Sequence, residues 1–400
     1  MTAPASLPAR DRRIPELDGL RGLAIGLVIV FHYLYLTTDA LTSPVLSRVR
    51  AALATTWSGV DLFFVLSGFL IGGILFDARF SRNYFRVFYT RRFFRIVPVY
   101  AAVLILLPCA LLLAARLTRR DFSWLTADAL PWYAYWTFAQ NFWMSFSLDL
   151  GANPLKVTWS LAIEEQFYLT LPVLIRIFTG ARIRLLVILG VCAAPLLRVG
   201  LGLVSPHNWV ARFVLMPCRA DALLLGVLAA IALREEYWRQ KLQRLSRRLD
   251  FLLSALLLGV VALTIWSPSV GGPVTQSLGY SWLAFFYAIL LVHALTRPSS
   301  VISRALRARW LRWLGSIAYG AYLLHQAIHG LLFALIWNSA PQVKSVPTFL
   351  TSVLSITLTL AIARLSWRYF ESPLLKLGHR SRYEFAEPSP DPLPARVASA

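Results

Sequence analysis

Apolar residues run for about 20 positions at a time along almost the whole chain, broken by short polar or basic stretches. The runs lie near 17–36, 57–76, 94–115, 129–147, 158–178, 183–203, 213–233, 250–267, 278–296, 313–336 and 348–370. A helix crossing the hydrocarbon core of a bilayer needs about 20 such residues. The pattern therefore predicts an all-α, polytopic membrane protein. Arg10, Arg12 and Arg13 precede the first run, as in a signal peptide, but no small-residue cleavage site follows it. The first run reads as a retained helix.

Basic residues gather in three breaks: 77–93 (Arg79, Arg82, Arg86, Arg91, Arg92), 234–249 (Arg234, Arg239, Lys241, Arg244, Arg247, Arg248) and 297–312 (Arg297, Arg304, Arg307, Arg309, Arg312). Loops rich in Lys and Arg stay in the cytoplasm. Eleven crossings would put the last two loops opposite the first, so one candidate has to go. The segment 129–147 carries Trp132, Tyr133, Tyr135, Trp136, Gln140, Asn141 and Trp143. Dense Trp and Tyr mark a membrane interface. The expectation is about ten spans, both termini cytoplasmic, with 129–147 re-entrant or interfacial. The loop 116–128, with Arg116, Arg119 and Arg120, runs against this assignment because it comes out external.

Composition narrows the class. The chain is 58% hydrophobic and 15% charged, against about 25% charged for a globular protein. The net charge is +21, and of the 40 basic residues only Lys156, Lys241, Lys344 and Lys376 are lysines. Hydrophobicity at this level excludes disorder for most of the chain. The long apolar runs argue against a soluble nucleic-acid binder. Cys109, Cys192 and Cys218 show no paired spacing, so no metal site or disulfide framework is expected. Residues 1–13 and a basic, then Pro- and Ser-rich tail at 376–400 flank an expected membrane domain at 14–375.

Ionisable groups inside spans are costly and mark candidate function. In the first span Arg21 and His32 are eleven residues apart, which places them on one helical face, roughly 16.5 Å apart along the axis. The second span holds Asp61 and Ser67, then Gly68, Gly72 and Gly73. The third opens on Arg91, Arg92 and Arg95. Arg92 and Arg95 share a face, and paired guanidiniums suit phosphate. The span near 158–178 carries Trp159, Ser160, Glu164, Glu165, Gln166 and Tyr168. Glu164 and Glu165 point about 100° apart and cannot both face one ligand. Arg219, Asp221, Tyr322, His325 and Gln326 add polar groups further on. Two layers result. A cytoplasmic one (Arg21, Arg92, Arg95, near Gly72 and Gly73) resembles an anion seat. A deeper one (His32, Asp61, Glu164, Glu165, Arg219, Asp221, His325) resembles an acid–base site. The structural alternative for each is ion pairing, helix packing or a charged flank, and the clustering weighs toward function.

These segments, in this order, resemble the bacterial acyltransferase family 3 of integral-membrane O-acyltransferases. The likeness rests on Arg21-x10-His32, GVDLFFVLSGFLI at 59–71, RRFFRIVP at 91–98, WSLAIEEQFYL at 159–169, RADALLLG at 219–226, YGAYLLHQ at 319–326 and YFESPL at 369–374, and covers roughly 14–373. It implies ten spans, a bacterial inner-membrane location, and transfer of an acyl group, commonly acetyl, from acyl-CoA to a hydroxyl. Acceptors in the family include sugars of O-antigen and other surface polysaccharides, Nod factors, peptidoglycan and macrolide sugars. His32 matches the family's catalytic histidine; the expectation drawn from the residues themselves is that Glu164, Glu165 or Asp61 orients it. Arg21, Arg92 and Arg95 match donor-binding positions. Acyl-CoA is then a donor substrate rather than a bound cofactor. Many relatives add a helix and a periplasmic SGNH esterase-like domain, and this sequence shows none, so such an activity is expected from another protein or not at all. The competing reading is a transporter of a small anionic or glycosidic substrate, which would more often show inverted repeats; none is visible. No HExxH or GxSxG motif points to a protease.

Overall fold

A computed structural model describes residues 14–38 and 44–385. The termini expected to be loose, 1–13 and the tail beyond 385, lie outside the described residues, as do Arg10, Arg12 and Arg13. Ten long helices carry the fold. They are α1 (Pro15–Val30), α2 (Gly59–Ala78), α3 (Tyr84–Thr118), α4 (Trp159–Ile177), α5 (Gly180–Val204), α6 (Met216–Arg234), α7 (Ser246–Trp266), α8 (Tyr280–Thr296), α9 (Ala318–Trp337) and α10 (Val346–Ser366). No strand occurs among the described residues. Nine of these helices are long and apolar enough to cross a membrane. The tenth, α4, has 19 residues, about 28 Å at 1.5 Å per residue, and differs by holding Glu164, Glu165 and Arg176. The protein is an all-α, multi-pass membrane protein.

The segment 129–147 does not cross. It forms two short helices, Trp132–Trp136 and Gln140–Ser147, separated by a turn with Phe138 at φ 53°. Its polar residues dock it. Gln140 and Asn141 are fully buried. Gln140 donates to the Thr158 carbonyl at 2.8 Å, and Asn141 to the Val214 carbonyl and to Gln166, both at 3.1 Å.

Three expected loops are largely helical. The break at 77–93 is shortened, because α3 begins at Tyr84 rather than near 94 and carries Arg86, Arg91 and Arg92 on its first turns. No Pro or Gly stops the helix there, and long Arg side chains keep their charge in water while their stems cover apolar surface. At 35 residues, about 52 Å, α3 is longer than a ~30 Å hydrocarbon core. The break at 234–249 contains a helix at Glu236–Arg244, and 297–312 contains Val301–Leu306 and Arg309–Ser316. Tyr237 and Trp310 are exposed beside Arg and Lys, a composition suited to the lipid headgroup level.

The interior is built round α2 and α6. The α2 segment is 78% buried, against 17% for α5 and α7 at the periphery. Small residues bring the central pair together: a Cβ on Gly68 would lie 1.8 Å from the Leu223 carbonyl oxygen, and one on Gly226 2.1 Å from that of Val65. Such contact is the usual means of helix association where lipid removes the hydrophobic drive. Gly22 of α1 and Gly315 of the Arg309–Ser316 helix meet in the same way.

Candidate functional site

Five of the long helices, the Arg309–Ser316 helix and the segment after α10 line a cavity of about 600 Å³. Helical periodicity explains which side chains reach it. Along α1 it touches Ile14 (the residue before the helix), Leu17, Asp18 and Arg21, a single stripe. Along α4 it touches Ser160, Glu164 and Tyr168, four apart each time, together with Leu161. Arg92, Arg95 and Ile96 come from α3, Ser67 from α2, and Tyr319 and Tyr322 from α9. The chain after α10 adds Trp367, Glu371, Lys376 and His379.

The charges in this space are unequally engaged. Asp18 accepts from Arg21 Nη1 at 2.9 Å. Arg92 lies 6.0 Å from the centre of the Tyr168 ring, and its buried Nε has no hydrogen-bond partner. The Ser67 and Tyr168 hydroxyls are 2.5 Å apart. Tyr322 donates to the Val157 carbonyl at 2.9 Å and shares a 2.5 Å hydrogen bond with Ser160. Glu164 lines the cavity and Glu165 does not, as the 100° between neighbours requires. Glu165 keeps a buried oxygen without a partner.

His32 stands just beyond this space. The cavity stops on α1 at Arg21 and on α9 at Tyr322, one turn before His325. A line of rings continues from there: Tyr322 to His325 at 5.8 Å, then His325 to His32 at 4.8 Å. His32 sits in a single π-helical turn, Phe31–Tyr35, that ends α1; such turns are rare and frequent at functional sites. Its Nδ1 lies 2.9 Å from the Val28 carbonyl. A carbonyl can only accept, so Nδ1 carries the hydrogen and the neutral ring offers Nε2 as a base. The orienting partner is thus backbone, where a carboxylate from Glu164, Glu165 or Asp61 was expected. His325 is fixed likewise, with Nδ1 on the Tyr322 carbonyl at 2.6 Å and a buried, unpartnered Nε2.

Asp61, Arg219 and Asp221 belong elsewhere. Arg219 binds Asp61 at 2.5 Å inside a box formed by Phe64, Trp159, Phe213 and Tyr280, the last ring 3.9 Å from the guanidinium carbon. Asp221 pairs with Arg198 at 3.0 Å and accepts from Ser281 at 2.6 Å. All four charged groups are at most 1% exposed. Trp159 is a wall of this box. None of these ion-paired residues lines the cavity, and their role is to hold α2, α5, α6 and α8 together. Gly72 faces Val227, and a Cβ on Gly73 would meet the Arg234 side chain at 2.5 Å. Both serve packing near α6 rather than the cavity wall.

Sequence reasoning missed two residues. Arg198 was visible as a charge deep within the apolar run 183–203, whose other charge, Arg184, lies at its start. Glu371 lies in YFESPL, where nothing in the local pattern marks a buried carboxylate. It is 4% exposed, accepts from Ser366 at 2.9 Å and lines the cavity from a second π-turn, Trp367–Glu371. Among the described residues no group of three or more His, Cys, Asp or Glu could hold a metal ion.

Residues 14–368 match an acyltransferase-domain family, almost the whole of the described chain. The chain belongs to this acyltransferase family. The peptidoglycan O-acetyltransferase OatA of Listeria monocytogenes is 27% identical over 395 residues, covering 91% of this chain and 56% of that protein. The O-acetyltransferase OatA of Staphylococcus aureus is 27% identical over 387 residues, covering 92% of this chain and 58% of that protein. A Bacillus subtilis protein, YrhL, named provisionally for peptidoglycan O-acetylation, is 29% identical over 389 residues, covering 92% and 56%. The chain spans a little over half the length of these curated relatives. No solved structure matches it.

Proposed function

We propose that this protein is an O-acyltransferase of the bacterial cell membrane, moving an acyl group, acetyl by analogy with its relatives, from cytoplasmic acyl-CoA to a hydroxyl of a carbohydrate acceptor. The observation that carries the reading is the continuous line from an arginine-lined cavity, through Tyr322 and His325, to a histidine whose base nitrogen is left free by its own helix. A cavity of about 600 Å³ falls within the ≈ 300–1,000 Å³ typical of ligand pockets. Arg21, Arg92 and Arg95 suit the CoA phosphates. Roughly 16.5 Å of helix separates Arg21 from His32, comparable to a pantetheine arm. The thioester would then be carried past the Ser160–Tyr322 hydroxyl pair toward His325 and His32.

His32 Nε2 takes the proton of the acceptor hydroxyl, and the oxygen attacks the thioester carbonyl. The C–S bond breaks, the acyl ester forms, and CoA leaves as thiolate and takes up the proton to depart as thiol. The acceptor hydroxyl meets the thioester at His32, which is partly exposed. Peptidoglycan is the acceptor class that the relatives' names support. The basic residues at the cavity end of the helices support a cytoplasmic donor side and cytoplasmic termini.

The test is CoA release from acetyl-CoA by the purified, detergent-solubilised protein. His32→Ala should lose turnover and retain CoA binding; a variant with full turnover would sink the base assignment. Mass spectrometry of muropeptides and surface glycans, from a deletion strain and its parent, identifies the acceptor.

A further inference from the structure

The three arginines at the head of α3 do different things. Arg92 and Arg95 line the cavity, whereas Arg91 turns away from it. Its Nε and Nη2 both donate to the Ser381 carbonyl, at 3.1 and 2.7 Å, and its guanidinium lies 5.1 Å from the Tyr383 ring centre. Asn83 donates to the Arg382 carbonyl at 2.9 Å, and the Arg82 and Asn83 groups meet Glu384 at 2.8 and 3.0 Å. Residues 381–384 are thus fastened to the start of α3. The helix they anchor, Ser372–His379, packs by Gly378 against Arg91 and Phe94: a Cβ there would lie 3.1 Å from Phe94 Cβ. Its other face presents Ser372, Leu375, Lys376 and His379 to the cavity, spaced i, i+3, i+4 and i+7, a single helical stripe.

This stripe brings a cation that neither the topology rule nor the arginine run supplies. Lys376 is exposed and so stands at the open part of the cavity, whereas the Arg92 Nε is buried and lies deeper. A ligand bearing one phosphate cluster would be served by the arginines alone. Lys376 and the arginines reach the cavity from different elements, which fits a ligand carrying phosphate on two different parts of its structure. Resting on the acyl-CoA reading, we propose that the C-terminal helix is the nucleotide-reading wall of the donor site. Lys376, with His379 beside it, takes the 3′-phosphate of CoA, while Arg21, Arg92 and Arg95 take the diphosphate. Arg91 is a positioning residue that acts through residues 381–384 and touches no ligand.

The experiment measures binding of CoA and 3′-dephospho-CoA to the purified full chain and its variants in detergent, at fixed salt. The wild type should prefer CoA by roughly tenfold, the scale of one charge-assisted contact. Lys376→Ala should erase that preference by weakening CoA while leaving dephospho-CoA unchanged, and Lys376→Arg should restore it. Arg91→Ala should reduce the preference with the thermal melting point as a control for folding. Equal wild-type affinity for the two ligands would overturn the proposal, as would a Lys376→Ala protein that discriminates normally or loses both ligands alike. A wild type that binds neither ligand overturns the acyl-CoA donor reading itself, a distinct failure.

Discussion

Arg219 and Asp61 show what a charge needs in order to exist in the middle of a membrane protein. The guanidinium is fully buried, paired with one carboxylate and walled by four aromatic rings. Ring faces carry negative potential and favour a cation over them. Breaking a buried pair by removing one partner strands the other charge, at a cost of about 3–5 kcal/mol. Arg219→Met should therefore lower the melting temperature sharply in detergent, while the double variant with Asp61→Leu recovers most of the loss. If the single variant melts like the wild type, the pair is not structural. The candidate site shows how far single residues were legible. A charge in a span announces that it matters, but not whether for packing or chemistry. Asp61, Arg219 and Asp221 looked like part of an acid–base layer because sequence gives depth and not azimuth. Arg198, the partner that settles Asp221, lies on another helix. Glu164 and Glu165 could be separated in part, since adjacency alone forbids both from facing one ligand. His32's orienting partner could not be anticipated, because a backbone carbonyl leaves no mark on composition.

At the scale of elements, the apolar runs give ten helices because a bilayer imposes one length on every crossing. The same rule exposes 129–147, whose buried Gln140 and Asn141 find partners on α4 and beside α6 and have no place against lipid. Shorter elements escaped for the complementary reason. The helices at Glu236–Arg244 and Arg309–Ser316 are set by where the headgroup region meets the chain, and a basic stretch reads the same whether coiled or helical. Packing between the long helices depends on close backbone approach, above all between α2 and α6. Those two helices also carry Asp61 and Arg219, and α2 presents Ser67 to the cavity. Gly226→Val would place a branched side chain where even a Cβ meets the Val65 carbonyl oxygen at 2.1 Å. Overpacking of this kind costs about 1–3 kcal/mol when neighbours can shift and more when the obstacle is backbone. The variant should melt well below the wild type and lose turnover. A small change in both would mean that α2 and α6 are free to separate, which the ion pairs between them argue against.

For the whole molecule, the arrangement of charge and the direction of chemistry depend on each other. The cavity takes in the cations at one end of its helices; α2 and α3 meet there at the Arg-rich stretch 77–93, and α9 follows the stretch 297–312. If positive residues stay in the cytoplasm, the same distribution that orients the protein turns the proposed donor cavity toward the compartment that holds acyl-CoA. His32, eleven residues further along the first span than Arg21, is then nearer the opposite side, where a cell-wall sugar would be found. Orientation thus decides whether the proposed reaction can join two compartments. Single cysteines in an otherwise cysteine-free chain, with Cys109, Cys192 and Cys218 replaced, can read it. Arg309 and Lys344 lie at opposite ends of α9 and outside the cavity wall. In intact cells an impermeant thiol reagent should label Lys344→Cys and reach Arg309→Cys only after permeabilisation. The reverse result would place the arginine mouth outside the cell, where no acyl-CoA pool could feed it, and would remove the cytoplasmic-donor mechanism while leaving the fold and the family intact.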